Sequence, residues 1–289
     1  MSTPKLPPAP HGVISAAVVE QFLRSSGMTI EQFMLALIPE AQQYARPPIS
    51  NFLVGAVALG ASGSIYFGAN YEFVGQALSF TVHGEQAATA HAISCGETGM
   101  QMLAVSAAPC GYCRQFLYEL TTASTLQILL PNTPATLLTS LLPDAFGPQD
   151  LGVTAALMSP QAHAMKLAAP ADPVVDAALA AANSSYAPYT SSYAGVALKT
   201  RDGGIFSGSV AENAAFNPSM SPLEAAVVSL IIQGGKSYSD IVDAVLVEAA
   251  HAKASQVAAT RAVLAAITSV PLRIHVAHVP STKEEKHHA

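Results

Sequence analysis

TVHGEQAATAHAISCGETGMQMLAVSAAPCGYCRQFL, residues 81–117, holds a helical stretch, an apolar run and the start of a second helix. Residues 81–92 are rich in helix formers and the pattern stops near Gly96, which predicts a helix with His83 in its first turn. Residues 102–108 are apolar and read as a buried strand. Pro109 then opens a helix carrying Arg114, Gln115, Phe116 and Leu117. Upstream, two apolar runs at 54–59 and 65–69 flank Ala61-Ser62-Gly63-Ser64, a β-hairpin pattern, and 126–130 supplies one more strand downstream. Strand, helix, strand, helix, strand implies a parallel portion added to the hairpin, with helices on the faces of a mixed α/β sheet.

The same stretch carries chemistry. His83, Cys110 and Cys113 offer one nitrogen and two sulfur donors, which suit Zn²⁺ and leave one tetrahedral position open, as catalytic sites do. Cys110 and Cys113 lie three apart at a helix start, on one face, where the positive end of the dipole and free N–H groups favour thiolates. Glu85 follows His83 by two residues, about 200° around an ideal helix, so it stands beside the metal and not on it. Two thiolates and a neutral imidazole formally cancel the charge of the ion. Hydrolytic chemistry needs an activated water and a proton carrier; zinc can bring the pKa of water from 15.7 to about 7, and Glu85 can carry the proton. A structural zinc ribbon would need a fourth protein ligand, and none is near in sequence. A redox Cys-x-x-Cys pair would leave His83 and Glu85 without a reason. Arg114 reads either as a donor to a thiolate or as an ordinary helix arginine. His91, on the same helix, reads as a packed or capping histidine.

His-x-Glu followed by Pro-Cys-x-x-Cys resembles the signature of the zinc-dependent nucleoside and nucleobase deaminases. From about residue 44 to 279 the chain resembles the homodimeric, two-domain class of cytidine deaminases. The segments that carry this are His83-Gly84-Glu85-Gln86, Pro109-Cys110-Gly111-Tyr112-Cys113-Arg114-Gln115-Phe116 and Leu142-Pro143-Asp144-Ala145-Phe146-Gly147-Pro148. The resemblance implies one zinc per chain and deamination of cytidine and 2′-deoxycytidine, with Glu85 as the proton shuttle. It also implies duplicated three-layer α/β/α domains, each with a mixed, mostly parallel five-stranded sheet. Asn70 and Glu72 match the pair that binds the ribose 3′-hydroxyl side, and a carboxylate there disfavours phosphorylated substrates. Phe52, in Asn-Phe-x-Val-Gly, and Phe146 match aromatics that pack around the base, although each alone would read as core. Pro109 precedes the first cysteine as in the family. Gly84 stands where alanine is usual, and Ala108 where threonine or a similar residue is; both positions act largely through backbone. Finally, the family pattern implies a homodimer in which Glu212-Asn213-Ala214-Ala215-Phe216 approaches the active site of the partner subunit, through Ala214, Ala215 and Phe216.

Composition narrows the alternatives. A chain of 289 residues that is 51% hydrophobic and 11% charged has room for two modest cores and argues against disorder. Asp and Glu outnumber Lys and Arg 19 to 13, for a net charge of −6, so a nucleic-acid polymer is not the expected partner. Three cysteines, two of them proposed ligands, suit a reducing compartment, and Cys95 reads as an inert buried thiol. Residues 1–12 are proline-rich without an apolar core and read as neither signal peptide nor membrane span, so a cytoplasmic location and no membrane partner are expected.

Residues 13–45 contain two helical patterns, the second opened by a Thr29-Ile30-Glu31-Gln32 capping box. Pro48-Ile49-Ser50, Gly55, Gly68 and Glu72 recur 140 residues later as Pro188-Tyr189-Thr190, Gly195, Gly208 and Glu212, which predicts a duplicated domain. Ser221-Pro222-Leu223 stands where the first copy has His83-Gly84-Glu85, and no cysteine follows Cys113, so the second copy cannot hold this zinc site. The expected division is a helical extension at 1–46, a catalytic zinc domain at 47–160, a degenerate copy at 161–280 and a solvated tail at 281–289 that includes His287 and His288. The rival readings are a deaminase of a base, nucleotide or polynucleotide, and an inactive zinc-containing scaffold, which would have no use for Glu85.

Overall fold

Gly63 takes a φ of 85°, and the chain reverses there between β2 (Gly55–Gly60) and β3 (Ile65–Ala69), which pair antiparallel from Gly55↔Ala69 to Leu59↔Ile65. The computed structural model describes residues 4–168 and 172–279; the expected tail at 281–289 lies outside them. Both strands of the hairpin are buried along their whole length, so each face of the sheet carries a layer. On one face lie α1 (Ala16–Ser26) and α2 (Ile30–Gln42). Thr29 caps α2 as expected: its hydroxyl accepts from Gln32 N, and the Gln32 side chain accepts from Thr29 N at 3.0 Å. Phe33, Met34, Leu37, Ile38 and Ala41 then pack against Val57, Leu59 and Phe67 of the sheet. The opposite face carries α3 (Gly84–Ser94), which is buried on nearly every side.

The rest of the first half comprises β1 (Val13–Ile14), β4 (Met100–Val105), α4 (Gly111–Leu117), β5 (Gln127–Leu129), β6 (Thr136–Leu137) and α5 (Leu138–Leu141). The sheet runs β1-β3-β2-β4-β5-β6. Its strand count and directions differ from the expected five mostly parallel strands: there are six, and only β4 and β5 run parallel. The physical reason is the connections. Only β4-α4-β5 supplies the helical crossover that parallel neighbours need, whereas β2 pairs antiparallel with both β3 and β4.

The second half repeats the plan with α6 (Pro173–Asn183), β7 (Ala194–Thr200), β8 (Ile205–Ser209), α7 (Pro222–Val228), β9 (Ile241–Ala249), α8 (Val257–Ile267) and β10 (Leu272–Ala277). Here four strands run β10-β9-β7-β8, and again one pair, β9 with β10 across α8, is parallel. The offset of 140 holds in detail: Asn51 and Ser191 take φ of 56° and 57°, and Gly63 and Gly203 of 85° and 92°. An added Cβ at Gly68 would lie 2.2 Å from Ala88 N, and one at Gly208 2.2 Å from Ala226 N, so in both copies the helix lies directly on the strand. His83 caps α3 and Ser221 caps α7, in agreement with the sequence alignment of the two copies. One continuous apolar cluster spans both halves, from Ala56, Leu103 and Phe116 to Leu198, Leu223 and Leu246.

Candidate active site

The two halves of the metal motif are brought together at two helix N-termini. His83 is the N-cap of α3 and Cys110 the N-cap of α4, each one position ahead of its helix and in extended conformation. His83 makes no side-chain capping bond; its N–H is instead taken by the Gln86 side chain at 3.2 Å, which leaves the imidazole free. His83 Nδ1 lies 3.5 Å from Cys110 Sγ and 3.2 Å from Cys113 Sγ, and the two sulfurs are 3.6 Å apart. Tetrahedral zinc, with bonds of about 2.3 Å to sulfur and about 2.0 Å to nitrogen, spaces such donors by about 3.8 Å and about 3.6 Å. The donor set therefore fits zinc in identity and in spacing. Among the described residues these three form the only cluster of three or more His, Cys, Asp or Glu donors close enough to hold an ion. The two thiols are in hydrogen-bond contact, which pulls the pKa of Cys110 down to about 5 and, together with burial, pushes that of Cys113 up.

Glu85 sits in the first turn of α3 and is 4% exposed. Burial pushes its carboxyl above the usual carboxylate range, opposed by its own backbone N–H and by the adjacent Cys113 thiol. A carboxylate beside an ion site, shielded from bulk water, can hold and pass a proton. Gly84 is explained by Val54, whose methyl would lie 2.9 Å from an added Cβ.

Asn70 and Glu72 are buried and shape the loop that carries Phe52. Asn70 accepts from Val54 N at 3.0 Å and donates to Phe52 O at 2.9 Å. Glu72 accepts from Ile49 N and Ser50 N, each at 2.8 Å, and from Ser50 Oγ at 2.5 Å. Burial opposes ionisation of Glu72, yet these three donors together hold its carboxyl below the usual range. A carboxylate offers about four acceptor sites and an amide two N–H and two lone pairs, so each side chain retains capacity for a ligand. The second copy keeps the Glu72 arrangement: Glu212 accepts from Tyr189 N, Thr190 N and the Thr190 hydroxyl. Ser50 is a residue that reading the sequence passed over, although the repeated Ser50/Glu72 and Thr190/Glu212 pairs carry the signal. Tyr112, also passed over, packs its ring 5.4 Å from that of His83.

Phe52 and Phe146 stand 58% and 44% exposed, not in the core. Ala108 is exposed and Pro109 buried. Arg114 departs from one reading: its guanidinium donates to Pro109 O at 2.9 Å and Leu141 O at 2.8 Å, and to neither thiol. Within one chain, Ala214 N donates to Glu119 at 2.9 Å, while Ala215 and Phe216 face outward, Phe216 with φ of 61°. His91 is packed as expected, fully buried with Nδ1 2.8 Å from Phe67 O. Cys95 corrects another expectation. It is the exposed C-cap of α3, beyond the buried stretch of the helix, and accepts from Gln233 Nε2 at 3.4 Å.

Residues 28–128 and 138–261 each match a family described as the cytidine and deoxycytidylate deaminase zinc-binding region. Three curated relatives are all named cytidine deaminase. The one from Vibrio cholerae is 47% identical over 89% of this chain and 87% of its own, and that from Shewanella loihica 46% over 90% and 88%. The one from Aeromonas hydrophila is 48% identical over 86% and 84%.

Proposed function

Because the chain belongs to the cytidine and deoxycytidylate deaminase family, we propose that it hydrolyses cytidine and 2′-deoxycytidine to uridine and 2′-deoxyuridine with release of ammonia. The observation that carries this reading is the His83, Cys110, Cys113 triangle with a buried glutamate beside it. His83, Cys110 and Cys113 would hold one zinc, whose Lewis acidity makes water a usable nucleophile near neutral pH. Glu85 takes one proton from the attacking water and gives it to ring N3, then takes the second from the hydroxyl added at C4 and gives it to the departing amine, which leaves as ammonia. One carboxylate suffices because it is regenerated at each turn. Asn70 and Glu72 bind the sugar with their remaining donors and acceptors, and the Glu72 charge repels phosphorylated analogues. Phe52 and Phe146 pack on the base; Gly84, Ala108 and Pro109 line it through backbone.

A homodimer supports the site in this reading. Phe52, Phe146 and Phe216 are exposed together with Leu53, Val74 and Leu78, an apolar set that a second copy would cover with its own Ala214-Ala215-Phe216 turn. A monomeric, fully active species in sedimentation would remove this part. The boundary between the catalytic and degenerate halves falls near residue 160, between Leu157, which bridges Leu120, and Lys166, which bridges His278. A cytoplasmic role in pyrimidine salvage fits the reduced cysteines; among the described residues no helix is long and apolar enough to cross a membrane.

The deciding experiment compares cytidine, cytosine, cytidine monophosphate and a short cytosine-containing single-stranded DNA with the zinc-loaded enzyme. Conversion of cytidine far above the other three is expected. Activity confined to another of the four would keep the chemistry and overturn the substrate, and no activity on any would favour an inert zinc scaffold.

A further inference from the structure

Phe146 is presented at the exposed tip of a loop whose next residues, Gly147 and Pro148, are buried. Residues 143, 144 and 146 are exposed, and Asp144 takes a φ of 51°. Two neighbouring side chains of α4 tie the ends of this loop to the helix that bears both thiols. Arg114 donates to Leu141 O at 2.8 Å, and Gln115 Nε2 donates to Phe146 O at 2.7 Å. Gln115 is also tied to the second half: its Nε2 lies 3.3 Å from Asn213 Oδ1, and its carbonyl accepts from Asn213 Nδ2 at 3.0 Å. Asn213 is fully buried, and among the described residues its amide bonds only to Gln115 and to the Ala215 N–H, which it accepts at 3.0 Å. Its own N–H goes to Ser219 Oγ at 3.0 Å, and its carbonyl accepts from Phe216 N at 2.9 Å. One amide thus joins the aromatic rim of the first half to the 213–216 turn of the second.

We propose that Gln115 is a positioning residue that fixes Phe146 by linking its loop to Asn213 of the metal-free half. The proposal rests on the reading that Phe146 packs on the base. An exposed loop tip is restrained mainly by such bonds, so removing them loosens the tip without unfolding the domain. The degenerate half then acts on the active site of its own chain through Asn213, whose amide oxygen also accepts from Ala215 N in the turn offered to a second copy.

The chain contains no tryptophan, so Phe146→Trp installs a single tryptophan on the loop, excited at about 295 nm apart from the nine tyrosines. In that background, Gln115→Met, which keeps volume and helix propensity but removes both side-chain bonds, should increase acrylamide quenching and lower anisotropy in the zinc-loaded protein. Asn213→Ala should do the same, and the double variant should be no worse than the poorer single. In the otherwise native chain, Gln115→Met should raise KM for cytidine by about tenfold with kcat within about twofold and melting temperature nearly unchanged. Unchanged quenching and KM would overturn the proposal, as would an equal fall in kcat and melting temperature, which marks a purely structural role. The fluorescence needs no substrate. A native enzyme inactive on cytidine therefore refutes the reading of the site, while the quenching still decides the role of Gln115.

Discussion

Glu85 and Cys110 lie within one site, yet their removal should have separable effects. Glu85→Gln keeps the size and packing of a buried side chain and replaces none of the three donors, so zinc content and nucleoside binding should persist while turnover falls by about 10²–10⁴ or more. Cys110→Ala should instead lose zinc and lower the melting temperature, because an ion that binds only the folded state stabilises it. Metal analysis, equilibrium binding and calorimetry on the two variants distinguish the roles; substantial turnover in Glu85→Gln, or stoichiometric zinc in Cys110→Ala, would refute the respective assignment. His91 offers a test away from the metal. Burial holds its pKa down to about 4, opposed by the bond to the Phe67 carbonyl. The unfolded chain, with a histidine near 6.5, takes up a proton first as pH falls, so the stability contributed by neutral His91 is present above about 6.5 and is lost towards about 4. Between pH 7 and 4.5 the native protein should lose about 2 kcal/mol more unfolding free energy than His91→Gln, which keeps a donor for Phe67; equal losses would remove His91 from this role. These donors and Glu85 were legible in the sequence because ligand spacing is chemical. The environments of Arg114 and Cys95 were not, since the partners that decide them, Leu141 and Gln233, are remote in sequence.

At the scale of elements, the signals that worked are those confined to a few residues. The Thr29 capping box, the Gly63 turn and the 140-residue repeat each placed an element close to where it is found. Strand direction was not legible, because an apolar run records burial and not which neighbour it pairs with. The two-residue strands β1 and β6 are too short to show any period. The repeat also yields a paired experiment. At Gly68 an added Cβ would meet backbone, Ala88 N at 2.2 Å and Gly84 O at 2.3 Å, and at Gly208 it would meet Ala226 N at 2.2 Å. Backbone cannot give way locally, so alanine at either position must lift a helix off its strand, at a cost of about 1–3 kcal/mol. Only α3 carries His83 and Glu85. Gly68→Ala should therefore reduce kcat/KM for cytidine as well as stability, whereas Gly208→Ala should reduce stability with a much smaller effect on kcat/KM. Equal kinetic losses in the two would mean that helix displacement is not what links this packing to activity.

In the whole molecule, the two halves solve one problem differently. Ser221 caps α7 by accepting from Glu224 N at 3.3 Å, while His83, at the matching place on α3, leaves its side chain for the metal. No cysteine follows Cys113, the second half shares one apolar cluster with the first, and Glu119 adds a buried polar contact across that junction. This carboxylate is 0% exposed, follows α4, and takes all its partners from the second half: the Tyr186 hydroxyl at 2.8 Å, the Tyr189 hydroxyl, and Ala214 N at 2.9 Å. Removing the acceptor takes a partner from three donors at once, of which the Tyr186 hydroxyl keeps Ala155 O at 3.3 Å and Tyr189 is half-buried, so Glu119→Ala should cost about 2–4 kcal/mol, while Glu119→Gln, which keeps one carbonyl oxygen, should cost about half as much. The loss falls on the junction and not on either sheet. Calorimetry should therefore show the single transition expected of a continuous core broadening or dividing in Glu119→Ala, with the weaker unit melting first. A single sharp transition at the native temperature would mean that the apolar cluster alone holds the halves together, and that the buried carboxylate is tolerated there without contributing to the docking.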